Sequence, residues 1–342
     1  MIVKARPPTQ RNRQTELVPV DSRPERSPPA VSFIICTRNR VAVLEACIRS
    51  VQSACRAHAA FAAELVVVDN GSVDRTPERL AGIAEISDIP FTTVREPRPG
   101  LAAARNAGVA RARGRVLVFV DDDCEVDGDY LRDLERHYAS GEQWLIRGGC
   151  VELGDPRDLP FTIKRSRVRE RLTPDVHPGG FVLGCNMVMH RDVAARIGHF
   201  DERFGAGGPL RSAEDTDYLV RAMLLGIPVE YVPDMTVFHH HGRRDRKSIE
   251  KLHRDYSFGN GALCLKHARH APWLLRHFYW ATRGALRELA GGPRFDRELQ
   301  LSHWPIVIMN LTGAARFALL LLARWPEEVQ VPQDRQADAQ AR

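Results

Sequence analysis

Arg115-Val116-Leu117-Val118-Phe119-Val120-Asp121-Asp122-Asp123 is the stretch on which the fold turns. Five apolar residues in a row, with no polar alternation, suit a strand covered on both faces, and such strands belong to parallel sheets flanked by helices. The strand runs straight into three carboxylates. Upstream the same pattern appears twice more, at Val31–Cys36 and at Glu64–Asp69, the second ended by the turn residues Asn70-Gly71-Ser72. Helical spacing of Val43, Leu44, Cys47, Ile48 and Val51 predicts a helix over Val41–Ala57 between them. A helix near Pro77–Glu85, a short strand at Phe91–Val94 and a helix near Leu101–Arg113 complete the alternation. Strands and helices alternating across residues 31–123 predict an α/β, Rossmann-like, doubly wound and mostly parallel sheet. Ligands of such sheets sit beyond the carboxyl ends of the strands. Here those ends carry Thr37-Arg38-Asn39, Asp69-Asn70 and the aspartate triplet.

The chain of 342 residues has room for one large domain of about 200–250 residues plus appendages. Its 44% hydrophobic content can fill a sizeable core, and its net charge of +6 is too mild to argue for nucleic acid. It suits an acidic ligand or an anionic surface. Seven scattered cysteines without a C-x-x-C spacing make neither a disulfide framework nor a zinc motif, so reduced thiols are expected. Residues 1–30 are rich in Arg, Pro, Gln and Ser and lack an apolar leader, which predicts a disordered tail and a cytoplasmic active site.

Beyond the triplet the pattern becomes mixed from Leu145 to Val237, with helices expected at Val193–Ile197 and Glu214–Leu225. Residues 243–299 are helical in pattern and basic, with 13 Arg or Lys against 6 Asp or Glu. The division expected is a catalytic domain over 31–242, a basic and apolar helical extension over 243–326, and a disordered tail over 327–342.

Three carboxylates at the exit of a buried strand repel one another, and a cation relieves that cost. Hard oxygens at this density suit Mg²⁺ or Mn²⁺ bridging to phosphates. A solvated turn, or a cap on a helix starting near Asp127, is the alternative. Ser212-Ala213-Glu214-Asp215-Thr216-Asp217 opens a helix whose apolar face is Leu219, Val220, Met223 and Leu224, and Ser212 with Asp215 reads as a capping box. The same placement would hold a carboxylate rigid enough for a general base. His239 and His241 alternate on an extended segment and so point the same way, either toward a shared site or toward solvent. In Pro99–Gly108 the small residues let a helix lie close to the sheet, while Arg105 and Asn106 are within reach of a nucleotide. No G-x-G-x-x-G follows a strand and no G-x-x-x-x-G-K-[ST] occurs, which leaves dehydrogenase and P-loop chemistry unsupported.

The order of these pieces resembles glycosyltransferase family 2. The matching stretches are Ser32–Asn39, Val66–Ser72, Gly100–Gly108, Phe119–Asp123 as the D-x-D motif, Gly184–Arg191, Phe200–Phe204, Glu214–Arg221 as the E-D element, and His239–His241. The resemblance implies a GT-A nucleotide-diphospho-sugar transferase fold with a C-terminal helical extension. It implies an inverting transfer from a UDP- or GDP-sugar donor to a hydroxyl of a saccharide or lipid-linked acceptor in surface polysaccharide or glycolipid assembly. Thr37, Asn39, Asp69, Arg105, Asn106, Asp121 and Asp122 would bind the nucleotide sugar, and Asp121, Asp123 and His239 or His241 would hold the metal. Asp215 would be the base, with Glu214 supporting the acceptor. A sugar nucleotidyltransferase would need a Gly-rich loop after the first strand, which Thr37-Arg38-Asn39-Arg40 lacks, and a binding module that had kept the fold would need no base.

In the extension, Trp273–Leu289 mixes aromatic with basic residues, and Trp304–Trp325 is strongly apolar. Pro305–Leu322 is 18 residues, marginal for a hydrocarbon core of about 30 Å. The expectation is contact of residues 273–325 with a membrane surface, peripheral on the inner face, or else packing on the catalytic domain.

Overall fold

The computed structural model describes residues 29–139 and 143–323. The expected tails at 1–30 and 327–342 lie outside these residues save for Pro29 and Ala30, as do positions 324–326 of the extension. The apolar runs become strands: β1 (Val31–Thr37), β2 (Ala63–Asp69), β3 (Phe91–Arg95) and β4 (Val116–Asp121), interleaved with α1 (Val41–Ala57), α2 (Thr76–Ile86) and α3 (Leu101–Arg111). β2 is buried along its whole length and β1 at every position but Cys36, as a doubly covered strand requires. α3 lies hard against the sheet because Gly108 has no side chain; a Cβ there would sit 2.5 Å from Ile34 Cγ2 and 3.2 Å from Val68 Cγ2.

After β4 come β5 (Cys124–Val126), α4 (Tyr130–Ala139), β6 (Ile146–Gly148), β7 (Val151–Leu153), β8 (Glu170–Arg171), β9 (Asn186–His190), α5 (Arg191–Ile197), α6 (Glu214–Leu224), β10 (Val229–Tyr231) and β11 (Val237–His239). The main sheet has the order β3-β2-β1-β4-β9-β6-β10-β8. The half built from β1 to β4 is parallel, β9 is inserted antiparallel to β4 and β6, and β10 returns parallel to β6. A three-stranded sheet, β5-β11-β7, stands beside it, and its register sets His239 opposite Cys124. The short strand carrying the histidines is thereby tied to the residue that follows the aspartate triplet.

The extension consists of α7 (Arg246–His267), α8 (Leu275–Leu289) and α9 (His303–Leu322). α9 presses Phe317 and Leu320 into a core shared with Phe204, Val220 and Phe258, so one face of the extension packs on the catalytic half. α7 and α9 cross at glycines, where a Cβ on Gly261 would overlap the Asn310 carbonyl and one on Gly313 the Phe258 carbonyl. The opposite face of α8 and α9 is open, with Tyr279, Trp280, Leu289, Leu311 and Leu322 exposed.

Candidate active site

Because β1 and β4 are in parallel register, Thr37 and the triplet emerge side by side at the same sheet edge. Thr37 Oγ1 donates to Asp122 Oδ2 at 2.7 Å. Arg40, three residues beyond the strand, forks across the triplet: Nη1 donates to Asp122 Oδ1 at 2.9 Å and Nη2 to Asp123 Oδ2 at 2.7 Å. Burial pushes the Asp122 carboxyl up to about 7 against the pull of Arg40 and Thr37. Burial works on Asp123 too, but His239, whose Nε2 is 3.4 Å from Asp123 Oδ1, and Arg40 together hold it well below the usual range. In return, burial of His239 is outweighed by Asp123, and its pKa rises to about 9. Asp123 is thus a fixed anion at the mouth of β4.

The other wall is the first turn of α6. Arg105 of α3, 3% exposed, donates through Nη1 to Glu214 Oε1 at 2.8 Å, and its Nη2 lies 3.4 Å from Asp121 Oδ1. A buried guanidinium must be paired, and these two carboxylates pair it while tying α6 to the triplet. Burial raises the Glu214 carboxyl and Arg105 opposes it. Asp215 Oδ2 accepts from the Gly184 N–H at 3.1 Å, and its Oδ1 accepts from the Thr216 N–H at 2.6 Å. Gly184 touches both sides at once: a Cβ there would lie 2.6 Å from Arg105 Nη2 and 3.1 Å from Asp215 Oδ2. Asp215, Arg105 and the triplet therefore share one cleft.

This turn is not the expected capping box. The residue before α6 is Ala213 in the left-handed region, at φ 70°, with no side-chain cap, and Ser212 Oγ instead donates to the Asp255 carbonyl in α7. A non-glycine residue held at positive φ costs about 1–3 kcal/mol, and such strain concentrates where side chains must be aimed.

Residues of this cleft line a cavity of about 1190 Å³, from Thr37, Asp121, Asp123 and His239 past Asp215 to Tyr256, Trp280 and Asn310 of the helical extension. Asp123, firmly ionised, is a hard oxygen donor of the kind that Mg²⁺ or Mn²⁺ takes, and Asp121 and His239 line the same cavity.

Four expected residues fall elsewhere. Asn106 is spent on the chain that follows α5: its Nδ2 donates to the Phe200 carbonyl and its Oδ1 accepts from the Phe200 N–H. His241 does not share the site of His239. Its ring lies 5.2 Å away and nearly perpendicular, with Nδ1 accepting from the Arg243 N–H and Nε2 directed at the Leu159 carbonyl, so neither nitrogen is left for a metal. Asn39, exposed at φ 54°, accepts from the Val73 N–H, and Asp69 closes the turn onto the Ser72 N–H; the neighbouring Asn70 lines the cavity instead. Arg40 and Gly184 were missed as site residues. For Arg40 the signal was an arginine just past a strand end facing an acidic triplet. The role of Gly184 has no signal in spacing, only its place in a matched stretch.

Residues 32–198 match the family model of glycosyl transferase family 2. The glycosyltransferase AglE of Haloferax volcanii is 26% identical over 238 residues, 69% of this chain and 73% of that protein. The N-acetylglucosaminyl-diphospho-decaprenol L-rhamnosyltransferase of Mycobacterium tuberculosis is 31% identical over 168 residues, 46% of this chain and 50% of that one. The mannosyltransferase PcManGT of Pyrobaculum calidifontis, solved with GDP-Man and Mn²⁺, is similar with a TM-score of 0.51 at 19% identity, over 87% of this chain and 75% of its own. At that identity the likeness is one of fold, and the fold is GT-A.

Proposed function

Since the chain belongs to glycosyl transferase family 2 and is a glycosyltransferase, we propose that it is an inverting, divalent-metal-dependent enzyme that moves a sugar from a UDP- or GDP-sugar to an acceptor hydroxyl. The observation that carries this reading is the Gly184 N–H bond to Asp215 at 3.1 Å, beside the guanidinium that reaches Asp121. A base and a diphosphate-binding end then flank one cleft, as an in-line displacement needs.

Asp215 takes the proton from the acceptor hydroxyl as its oxygen bonds to the anomeric carbon and the bond to the diphosphate breaks. The Gly184 N–H and Thr216 N–H fix the direction of the Asp215 carboxylate. Thr37 and Asp122 face the nucleoside, and Arg105 holds Glu214 and Asp121 in place. Asp121, Asp123 and His239 would hold Mg²⁺ or Mn²⁺, which supplies positive charge against that developing on the departing diphosphate.

The acceptor is proposed to be a saccharide, lipid-linked in the simplest case, within surface polysaccharide or glycolipid assembly at the cytoplasmic face of a membrane. The aromatic and basic outer face of α8, where Arg283 lies 5.0 Å over the Trp280 ring, supports peripheral contact there, and so does the decaprenol-linked substrate in the mycobacterial relative's name. Release of nucleoside diphosphate from a panel of nucleotide sugars, with Mg²⁺, Mn²⁺ or chelator, tests the proposal. Release from a UDP- or GDP-sugar only when metal is present is expected, with inversion at the anomeric carbon of the product. Metal-independent turnover, or retention of configuration, contradicts it.

A further inference from the structure

Two thiols and an imidazole meet directly behind the aspartate triplet. Ligand atoms of Cys124, Cys185 and His239 all lie within 4.8 Å of one another, and all three residues are buried. The β5–β11 register brings Cys124 opposite His239, and Cys185 arrives on the segment that ends in Asn186, the first residue of β9. Asp123 adds an oxygen, with Oδ1 3.4 Å from His239 Nε2. Among the described residues no other three cysteine, histidine or acidic side chains cluster in this way.

We propose that Cys124, Cys185, His239 and Asp123 form a binding site for a thiophilic divalent cation, Zn²⁺ in a cell and Cd²⁺ as its probe. Sulfur, nitrogen and oxygen donors in this number match a tetrahedral zinc shell, whose donor atoms stand about 3.3–3.8 Å apart given Zn–S near 2.3 Å and Zn–N near 2.0 Å. The three atoms within 4.8 Å of one another need approach by about 1 Å to reach that spacing. Thiolate ligands select Zn²⁺ and Cd²⁺ over Mg²⁺ and Mn²⁺, so the site discriminates by softness against the ions that the oxygen-rich edge suits. Entry is open, since Cys185, His239 and Asp123 line the cavity and only Cys124 is sealed behind them. Binding releases the two thiol protons and the proton that the His239 imidazolium carries at neutral pH to solvent. The ion takes Asp123 and His239 out of the constellation above, so it inhibits transfer; that consequence, though not the binding, rests on the roles proposed for those two residues.

The test is titration of the reduced, metal-free full chain with Cd²⁺ in excess Mg²⁺, read by the ultraviolet thiolate-to-cadmium charge-transfer absorption. One equivalent bound with a thiolate band is expected, lost in Cys124→Ser and Cys185→Ser and kept in Cys55→Ser, whose thiol lies on α1. No band in the wild type, or a band that survives both substitutions, overturns the site. Should Cys124→Ser not fold, cadmium NMR of the wild type decides alone: a shift of two-sulfur ligation supports the site and one without sulfur ligation overturns it. Cd²⁺ bound with the expected band but without inhibition would leave the site standing and instead contradict the roles given to Asp123 and His239.

Discussion

Gly184 works at the scale of a single missing methyl group. Its N–H reaches Asp215 while its bare Cα leaves room for Arg105. A Cβ would push the guanidinium, the carboxylate or both by several tenths of an ångström, and misplacing a catalytic group by 1 Å costs about 10²-fold in rate. Gly184→Ala is therefore expected to lower kcat at least about 10-fold with nucleoside diphosphate binding retained. Steady-state kinetics beside a binding titration reads this, and an unchanged kcat would refute the account of Gly184. At this scale the sequence singles out the aspartates, because three carboxylates at the exit of a buried strand repel one another unless a cation or a solvated turn relieves them. It leaves open which of His239 and His241 faces the site and does not show what Asn106 is bonded to, because spacing says which way a side chain points but not which backbone groups it must satisfy. The Phe200 amide and the Leu159 carbonyl, far off in sequence, claim the Asn106 and His241 side chains.

At the scale of elements, the long apolar strands β1, β2 and β4 could be read to within a residue, since both faces are covered and every position is constrained. Strands of two or three residues, β5 to β8, carry too little pattern to be seen, and Ser212 reads as a cap in sequence while in the fold α7 claims its hydroxyl. The α7–α9 crossing depends on Gly261 and Gly313. Gly313→Val should cost about 1–3 kcal/mol through overpacking, seen as a lowered Tm; an unaltered Tm would mean that the helices do not meet as described. The outer face of α8 and α9 makes a second prediction, in which Arg276 and Arg287 are exposed beside Tyr279, Trp280 and Leu289. The full chain should float with phosphatidylglycerol vesicles and let go as salt rises, each basic residue near the surface adding about 1 kcal/mol. Absence from the vesicle fraction at low salt would remove membrane contact from the proposal.

At the scale of the whole molecule, the catalytic half and the extension are joined through Asp217. This residue of α6 is fully buried, with Lys266 Nζ at 2.6 Å and His267 Nε2 at 2.8 Å from Oδ1, and Arg221 Nε at 2.9 Å from Oδ2. Burial opposes its ionisation, but Lys266, Arg221 and His267 hold its pKa well below the ordinary value. A depressed folded-state pKa stabilises above the unfolded value of about 3.9 and loses that contribution as pH falls below it. Asp217→Asn should thus cost about 3–5 kcal/mol at neutral pH, with the gap from wild type narrowing as pH drops from about 5 toward 3. Denaturant titrations across that range check it, and a gap independent of pH would contradict the pairing. The sequence shows Asp217 only as part of an acidic turn, because Lys266 and His267 stand some fifty residues away.

In the proposed function the aspartate triplet and Asp215, distant in sequence, serve one displacement from opposite walls of a cleft. Turnover and Mn²⁺-dependent nucleoside diphosphate binding, measured together on folded Asp215→Asn and Asp123→Asn proteins, test it most directly. Asp215→Asn is expected to lose about 10²-fold or more in turnover while still binding nucleotide with Mn²⁺, and Asp123→Asn to lose the metal dependence of that binding. Near-normal turnover by Asp215→Asn would contradict it.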